Sequence, residues 1–217
     1  MMNFPEKTIL NRIMPKAKFM KMAELTTISR NELNSNIDRI ILANVLRKDT
    51  INIEQGENIN EIDVLELTLK KKSVSDNLIK DIDSNIPKHI IYCLHYEDAA
   101  QLVITFKEKN VKNDKYKVIQ LYKTDWISYD NLNLDIKGLN LDEVFENFIS
   151  QIAGDKIELK QETTLKEVIE KSAAIEKLQK KITALENKIS KEKQFNKQLE
   201  LKKELKELKA QMGAVNG

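Results

Sequence analysis

The residues best equipped for chemistry gather on two short runs of the chain. In "KHIIYCLHY", His89, Cys93 and His95 all hold odd-numbered positions. On an extended strand alternate residues face one way, so these three share a face with Ile91. Imidazole and thiolate are zinc ligands. Cys93 and His95 stand about 7 Å apart by strand rise, within reach of one ion, whereas His89 lies about 13 Å from Cys93. The chain has two histidines and one cysteine, so a zinc site here would need carboxylates to complete it. The simpler reading is a central strand carrying a hydrogen-bonded histidine, with no metal or cofactor.

The second run is "EIDVLELTLKK", with Asp63, Glu66 and Lys70. Metal-dependent nucleases gather carboxylates to hold a divalent cation, and a lysine can help to activate water. Asp63 and Glu66 are an odd number of residues apart, so they point to opposite faces of a strand. In "TFKEK" the acid and the lysine come in the wrong order. Acids flanking a strand are the simpler reading, and a nuclease-like effector stays open as the alternative. Five glycines, two of them among the last few residues, leave little material for a phosphate-cradling loop.

The elements that position these residues follow from periodicity. "FPEKTILNRIMPKAKFMKMA" is basic, and Pro15 interrupts any helix through it, with a short helix expected from Pro15 into Ala23. Ser29 and Glu32 have capping-box spacing, and Leu33, Ile37, Ile40, Ile41 and Asn44 follow at helical intervals. A strand is expected at "EIDVLELTLKK", a helix capped by Ser73 at "SVSDNLIKDIDSNI", and strands at "KHIIYCLHY", "QLVITFKE" and "YKVIQLYKT". Trp126, after the last of these, reads as a cover for the sheet's edge. Asn140 and Glu143 cap a helix with an apolar face of Val144, Phe145, Phe148, Ile149 and Ile152, ending at Gly154. The expected class is α/β (α+β). A mixed, mainly antiparallel sheet of about four strands carries packed helices over residues 1–160. A long C-terminal coiled-coil helix or helical hairpin follows over residues 161–217.

In that tail, Ile175, Leu178, Ile182, Leu185 and Ile189 step by three and four, a heptad seam. The seam fails at Glu192 and Asn196, then resumes out of phase at Leu201, Leu205, Leu208 and Met212. No glycine or proline lies in "SKEKQFNKQLE", so a continuous or mildly kinked helix is expected there, with Phe195 as a docking residue and Leu199 one turn on. The contact residues expected are Ile175, Leu178, Ile182, Leu185, Ile189, Phe195, Leu199, Leu205 and Leu208. The partner is another protein or a second copy of the chain.

Composition narrows the class further. The net charge of +2 gives no global pull toward nucleic acid or membrane, although charged residues make up 32 % of the chain. Lys7, Arg12, Lys16, Lys18 and Lys21 form a basic N-terminal segment, which leaves phosphate contacts there as a further reading. One cysteine, no leader pattern and no apolar run of membrane length point to a cytoplasmic protein.

The runs "EIDVLELTLKKKS", "IPKHIIYCLHYED", "YKTDWI", "LDEVFENFISQIAG" and "KEKQFNKQLELKKELKELK" together resemble a bacterial family named only as domain of unknown function 4391. "TDW", "QIAGD" and "KEKQFN" carry most of the likeness. The resemblance implies an accessory protein of anti-phage defence or restriction-modification systems, whose partner is a helicase or methyltransferase of the same operon. It implies no catalytic residues.

Overall fold

The run from Ile62 to Leu69 forms the strand on which the sheet is built. In the computed structural model, which describes residues 2–110, 115–156 and 165–216, it is the third of seven strands. These are β1 (Ile9–Ile13), β2 (Ile37–Leu46), β3 (Ile62–Leu69), β4 (His89–Tyr96), β5 (Ala99–Lys109), β6 (Tyr116–Lys123) and β7 (Ile127–Ser128). The order β1-β2-β3-β4-β5-β6 follows the chain, and β7 pairs with β5. Only β3 and β4 run parallel, joined through a helix, α4 (Asp76–Asn85); the other pairings are antiparallel. The mixed, mainly antiparallel sheet is therefore as expected, but larger than four strands.

Three strands lie beyond the four expected: β1, β2 and the two-residue β7. β1 lies in the N-terminal segment ahead of Pro15. β2 occupies the residues read as the continuation of a helix. The helix there, α2 (Thr27–Asn36), ends before Ile37, and its cap is Thr26, whose side chain accepts from Ser29 N–H. Glu32 does not close a box with Ser29. It accepts from the backbone and hydroxyl of Ser75 at 2.6 Å each, and Ser75, not Ser73, caps α4. The short helix α1 (Lys16–Met22) starts after Pro15 as expected, and a single turn, α3 (Lys48–Ile51), follows β2.

Each sheet face has its own cover. Leu65, Leu67 and Leu69 of β3 join Ile90, Tyr92 and Leu94 of β4 in a buried cluster with Phe19 of α1, Leu33 of α2 and Leu78, Ile79 and Ile82 of α4. The opposite face carries Val64, Ile91, Leu102 and Ile104, all buried. It meets α5 (Leu141–Ala153), whose Phe145 ring stands edge-on to His89 at 4.9 Å. Burying a side chain of Leu or Phe size contributes about 1.5–3 kcal/mol before ordering costs, so these two layers hold the sheet. Trp126 is half-buried against the first cluster, with Lys72 Nζ 5.1 Å from its ring centroid.

The start of α5 also fastens the loop before β3. Asn140 caps it, accepting from Glu143 N–H at 3.0 Å, while the Glu143 carboxylate accepts from Leu139 N–H and the Asn140 amide. Asp142 accepts from the backbone N–H of Asn58 and of Ile59, the latter at 2.8 Å. A Cβ at Gly56 would come within 2.0 Å of Asp142 Oδ1, so only glycine fits there.

The chain forms two compact units, Met1–Lys156 and Ile157–Gly217. The second holds α6 (Leu165–Lys191) and α7 (Phe195–Asn216), which pack together.

Candidate functional site

The tail residues singled out by the heptad pattern fall on two helices. Lys209 Nζ lies 2.8 Å from Glu186 Oε1. In one unbroken helix these residues would stand about 34 Å apart, so the chain reverses between them and the continuous helix expected from local sequence is corrected to a hairpin. The break covers residues 192–194. Without glycine or proline, it is held by side-chain capping: Glu192 Oε1 accepts from Gln194 N–H at 2.9 Å, and Gln198 Nε2 donates to the Glu192 carbonyl at 2.6 Å. The bond from Gln194 N–H keeps the Glu192 carboxyl below its ordinary pKa.

Of the nine candidate contact residues, Ile182 and Leu185 are buried, and Ile175, Leu178, Ile189, Leu205 and Leu208 are half-buried. Phe195 is 74 % exposed and Leu199 60 % exposed. These last two sit one turn apart at the start of α7, on the outside of the hairpin tip. Residues 188–203 around them carry six lysines and two glutamates. Single exposed leucines are ordinary; an exposed phenylalanine and leucine on adjacent turns within a basic collar form a more unusual surface.

The basic N-terminal residues divide. Lys16 is committed to the fold, donating to the Ile37 carbonyl at 2.7 Å. Lys7, Arg12, Lys18 and Lys21 are exposed.

Asp63 and Glu66 face opposite sides of the sheet, as their spacing demands, and each has its own partners. Asp63 lies on the α4 side, 3.3 Å from Lys88 Nζ, which also pairs with Glu61. Asp63 Oδ1 is buried without a hydrogen-bond donor, and burial raises its pKa to about 6. Glu66 lies on the α5 side. It accepts from Tyr129 Oη–H at 2.8 Å and sits 3.3 Å from His95 Nδ1. The His95 ring stacks on Tyr129 at 4.3 Å. Among the described residues no group of three or more histidines, cysteines, aspartates or glutamates is placed to hold a metal ion.

His89, Cys93 and His95 do share a face, and the structure separates them: His89 packs on Phe145, His95 joins Glu66 and Tyr129, and Cys93 is buried. Burial pushes the Cys93 thiol up to about 12, with the nearby Glu66 carboxylate adding to it, so the sulfur stays protonated and unreactive near neutral pH. Burial also lowers His89 to about 4 and keeps its ring neutral.

Cys93, Glu66 and Tyr129 border a small pocket of ≈ 50 Å³, with Phe4, Ile9 and Val64 among its walls. Sequence reasoning had Glu66, Cys93 and His95 in hand but missed Tyr129. Its contact with Glu66 spans 63 residues, and it comes from a short 3-10 turn after β7 that has no periodic signal.

The model of the family described as Domain of unknown function (DUF4391) matches residues 2–212. The chain belongs to that family. No curated protein and no solved structure matches it. DUF4391 membership thus covers the sheet, its helices and most of the hairpin alike. No helix among the described residues is long and apolar enough to cross a membrane.

Proposed function

We propose that this DUF4391 chain is a non-enzymatic interaction subunit that docks onto a partner protein through the tip of its C-terminal hairpin. The carrying observation is the pair Phe195 and Leu199, exposed on adjacent turns while the seam residues of the same hairpin are covered. Aromatic anchors dominate protein interfaces because one ring removes a large apolar area from water at little entropic cost. At about 25 cal/mol per Å² that area contributes only after ordering costs are met, which a preformed helix keeps small. The family's setting supports a helicase or methyltransferase of an anti-phage defence operon as the partner. The Glu66 region supports no competing nuclease reading, since Asp63 points to the other face and is paired with Lys88.

The test is co-elution of the full chain with whichever helicase or methyltransferase its neighbouring genes encode, comparing wild type with Phe195→Ser/Leu199→Ser. Both residues are exposed, so the variant keeps its helix content. Loss of the complex by the variant is the expected result. Undiminished co-elution overturns docking at the tip.

A further inference from the structure

On the α5 side of the sheet, independently of the hairpin, we propose that the pocket beside Glu66 receives a small cationic head group, an ammonium or a guanidinium. Among the described residues that line it, Glu66 is the one with a formal side-chain charge, and none is a lysine or an arginine. The carboxylate is aimed before any ligand arrives: Tyr129 Oη–H holds Oε2 at 2.8 Å and His95 Nδ1 lies 3.3 Å from Oε1. Each carboxylate oxygen keeps a second lone pair for an incoming N–H. Tyr129, whose hydroxyl hydrogen is engaged by Glu66, offers a ligand only acceptor lone pairs. Asn44 Nδ2 gives one of its two hydrogens to Thr8 Oγ1 at 2.8 Å, and its carbonyl oxygen, like that of Asn11 in the same lining, can accept from a ligand. The polar side of the pocket thus sets acceptor oxygens of Glu66, Tyr129, Asn11 and Asn44 around one formal negative charge. Walls of Phe4, Ile9 and Val64 lower the local dielectric, which strengthens attraction to a cation.

Size sets the ligand class. A cavity of ≈ 50 Å³ takes a few water molecules at about 10–15 Å³ each. That accommodates a head group and excludes a nucleotide or a sugar. The inert thiol of Cys93 adds no covalent step, so the site binds. The head group comes from a free small amine or guanidine, or from a lysine or arginine side chain of a peptide.

Amide NMR of the full-length protein tests this, with methylammonium, methylguanidinium, a capped arginine-containing peptide and, as anionic control, acetate. Saturable shifts at Val64, Glu66, Cys93 and Tyr129 with the cations and none with acetate are expected. Saturation by the small cations identifies a free-ligand site; saturation by the peptide alone identifies side-chain capture. Glu66→Gln weakens binding by about tenfold or more, the loss of one charged hydrogen bond. Tyr129→Phe, which keeps the ring stacked on His95, weakens it less. No saturable shift with any cation overturns the proposal. So does unchanged affinity in Glu66→Gln with a native spectrum or, should that variant not fold, unchanged affinity in Tyr129→Phe.

Discussion

Lys107 Nζ lies 3.4 Å from Asp83 Oδ1, and both side chains are sealed from solvent. The same ammonium donates to the carbonyls of Asp83, Ile86 and Lys88 at 3.0, 2.9 and 2.6 Å. The Asp83 and Ile86 oxygens sit at the C-terminal end of α4, where the last carbonyls lack helical partners and the helix dipole favours positive charge, and the Lys88 oxygen lies just before β4. One side chain of β5 thus neutralises a carboxylate of α4 and caps the end of that helix. Tyr92 and Thr105 hydroxyls donate to the remaining lone pairs of Asp83. Burial pushes Asp83 up and Lys107 down, each toward its neutral form, and their contact opposes both shifts.

Removing one partner of this pair leaves the other charge buried alone, which costs about 3–5 kcal/mol. Lys107→Met is therefore expected to lower unfolding free energy by that amount in urea titration. Adding Asp83→Asn to it restores part of the loss. A Lys107→Met protein as stable as wild type contradicts the capping role.

Asp63 and His89 give opposite pH dependences. Asp63 has a folded pKa of about 6 against an ordinary 3.8, so the folded state holds the extra proton between those values. Its contribution is full below about pH 4 and is lost as pH rises through 6. His89 has a folded pKa of about 4 against an ordinary 6.5, so the unfolded state holds the extra proton. Its contribution is present above 6.5 and is lost as pH falls through 4. Wild-type stability should vary little across this window. Asp63→Asn unmasks a rise of stability with pH, and His89→Gln unmasks a fall. Denaturant midpoints from pH 4 to about 7 check the two slopes, and slopes of the same sign for both variants would sink the assignment.

Gly56 sets the loop that Asp142 clasps. Gly56→Ala drives a methyl into the Asp142 carboxylate, an overpacking that costs about 1–3 kcal/mol. Amide exchange at Asn58 and Ile59, whose N–H groups Asp142 receives, should quicken in the variant. Unaltered exchange would mean the loop is held elsewhere.

Within the hairpin, covered and exposed apolar residues should separate cleanly. Ile182→Ala and Leu185→Ala each remove methyl groups from buried positions and should lower far-ultraviolet helicity and broaden the melt. Phe195→Ser changes stability by less than about 0.5 kcal/mol, as exposed substitutions do. A helicity loss in Phe195→Ser equal to that of Ile182→Ala would place Phe195 inside the hairpin's packing.

How far the sequence reveals this molecule depends on where periodicity is kept. β3, β4, β5 and β6 and helices α4 and α5 were legible because their apolar spacing is regular over eight residues or more. β2 was not. Its residues Ile37, Ile40, Leu42 and Leu46 are buried, but the register to β3 shifts between Ile37 and Arg39 and again between Leu42 and Asn44. Each shift inserts a residue, so a period of two reads locally as three and imitates a helix. The hairpin break was hidden for another reason. Glu192 and Gln198 make the turn with ordinary side chains, leaving none of the glycine or proline that marks most turns. Glu66 was visible as a strand residue, but its role required Tyr129, whose position only the assembled sheet determines.

The residue inserted in β2 at Asp38 also gives the sheet mechanical slack. In a regular strand a one-residue deletion turns every later side chain to the wrong face. At Asp38 the partner strand β3 already lacks the matching residue, and the β1 ladder, which reaches only from Asn44 to Ile41, lies beyond it, so the shortened β2 relaxes into plain alternation and each later side chain keeps its side. At Ala43 the same deletion would widen the irregularity that β2 already has with β1. The frame of the sheet is therefore tolerant of length change at one defined point and intolerant of it a few residues away.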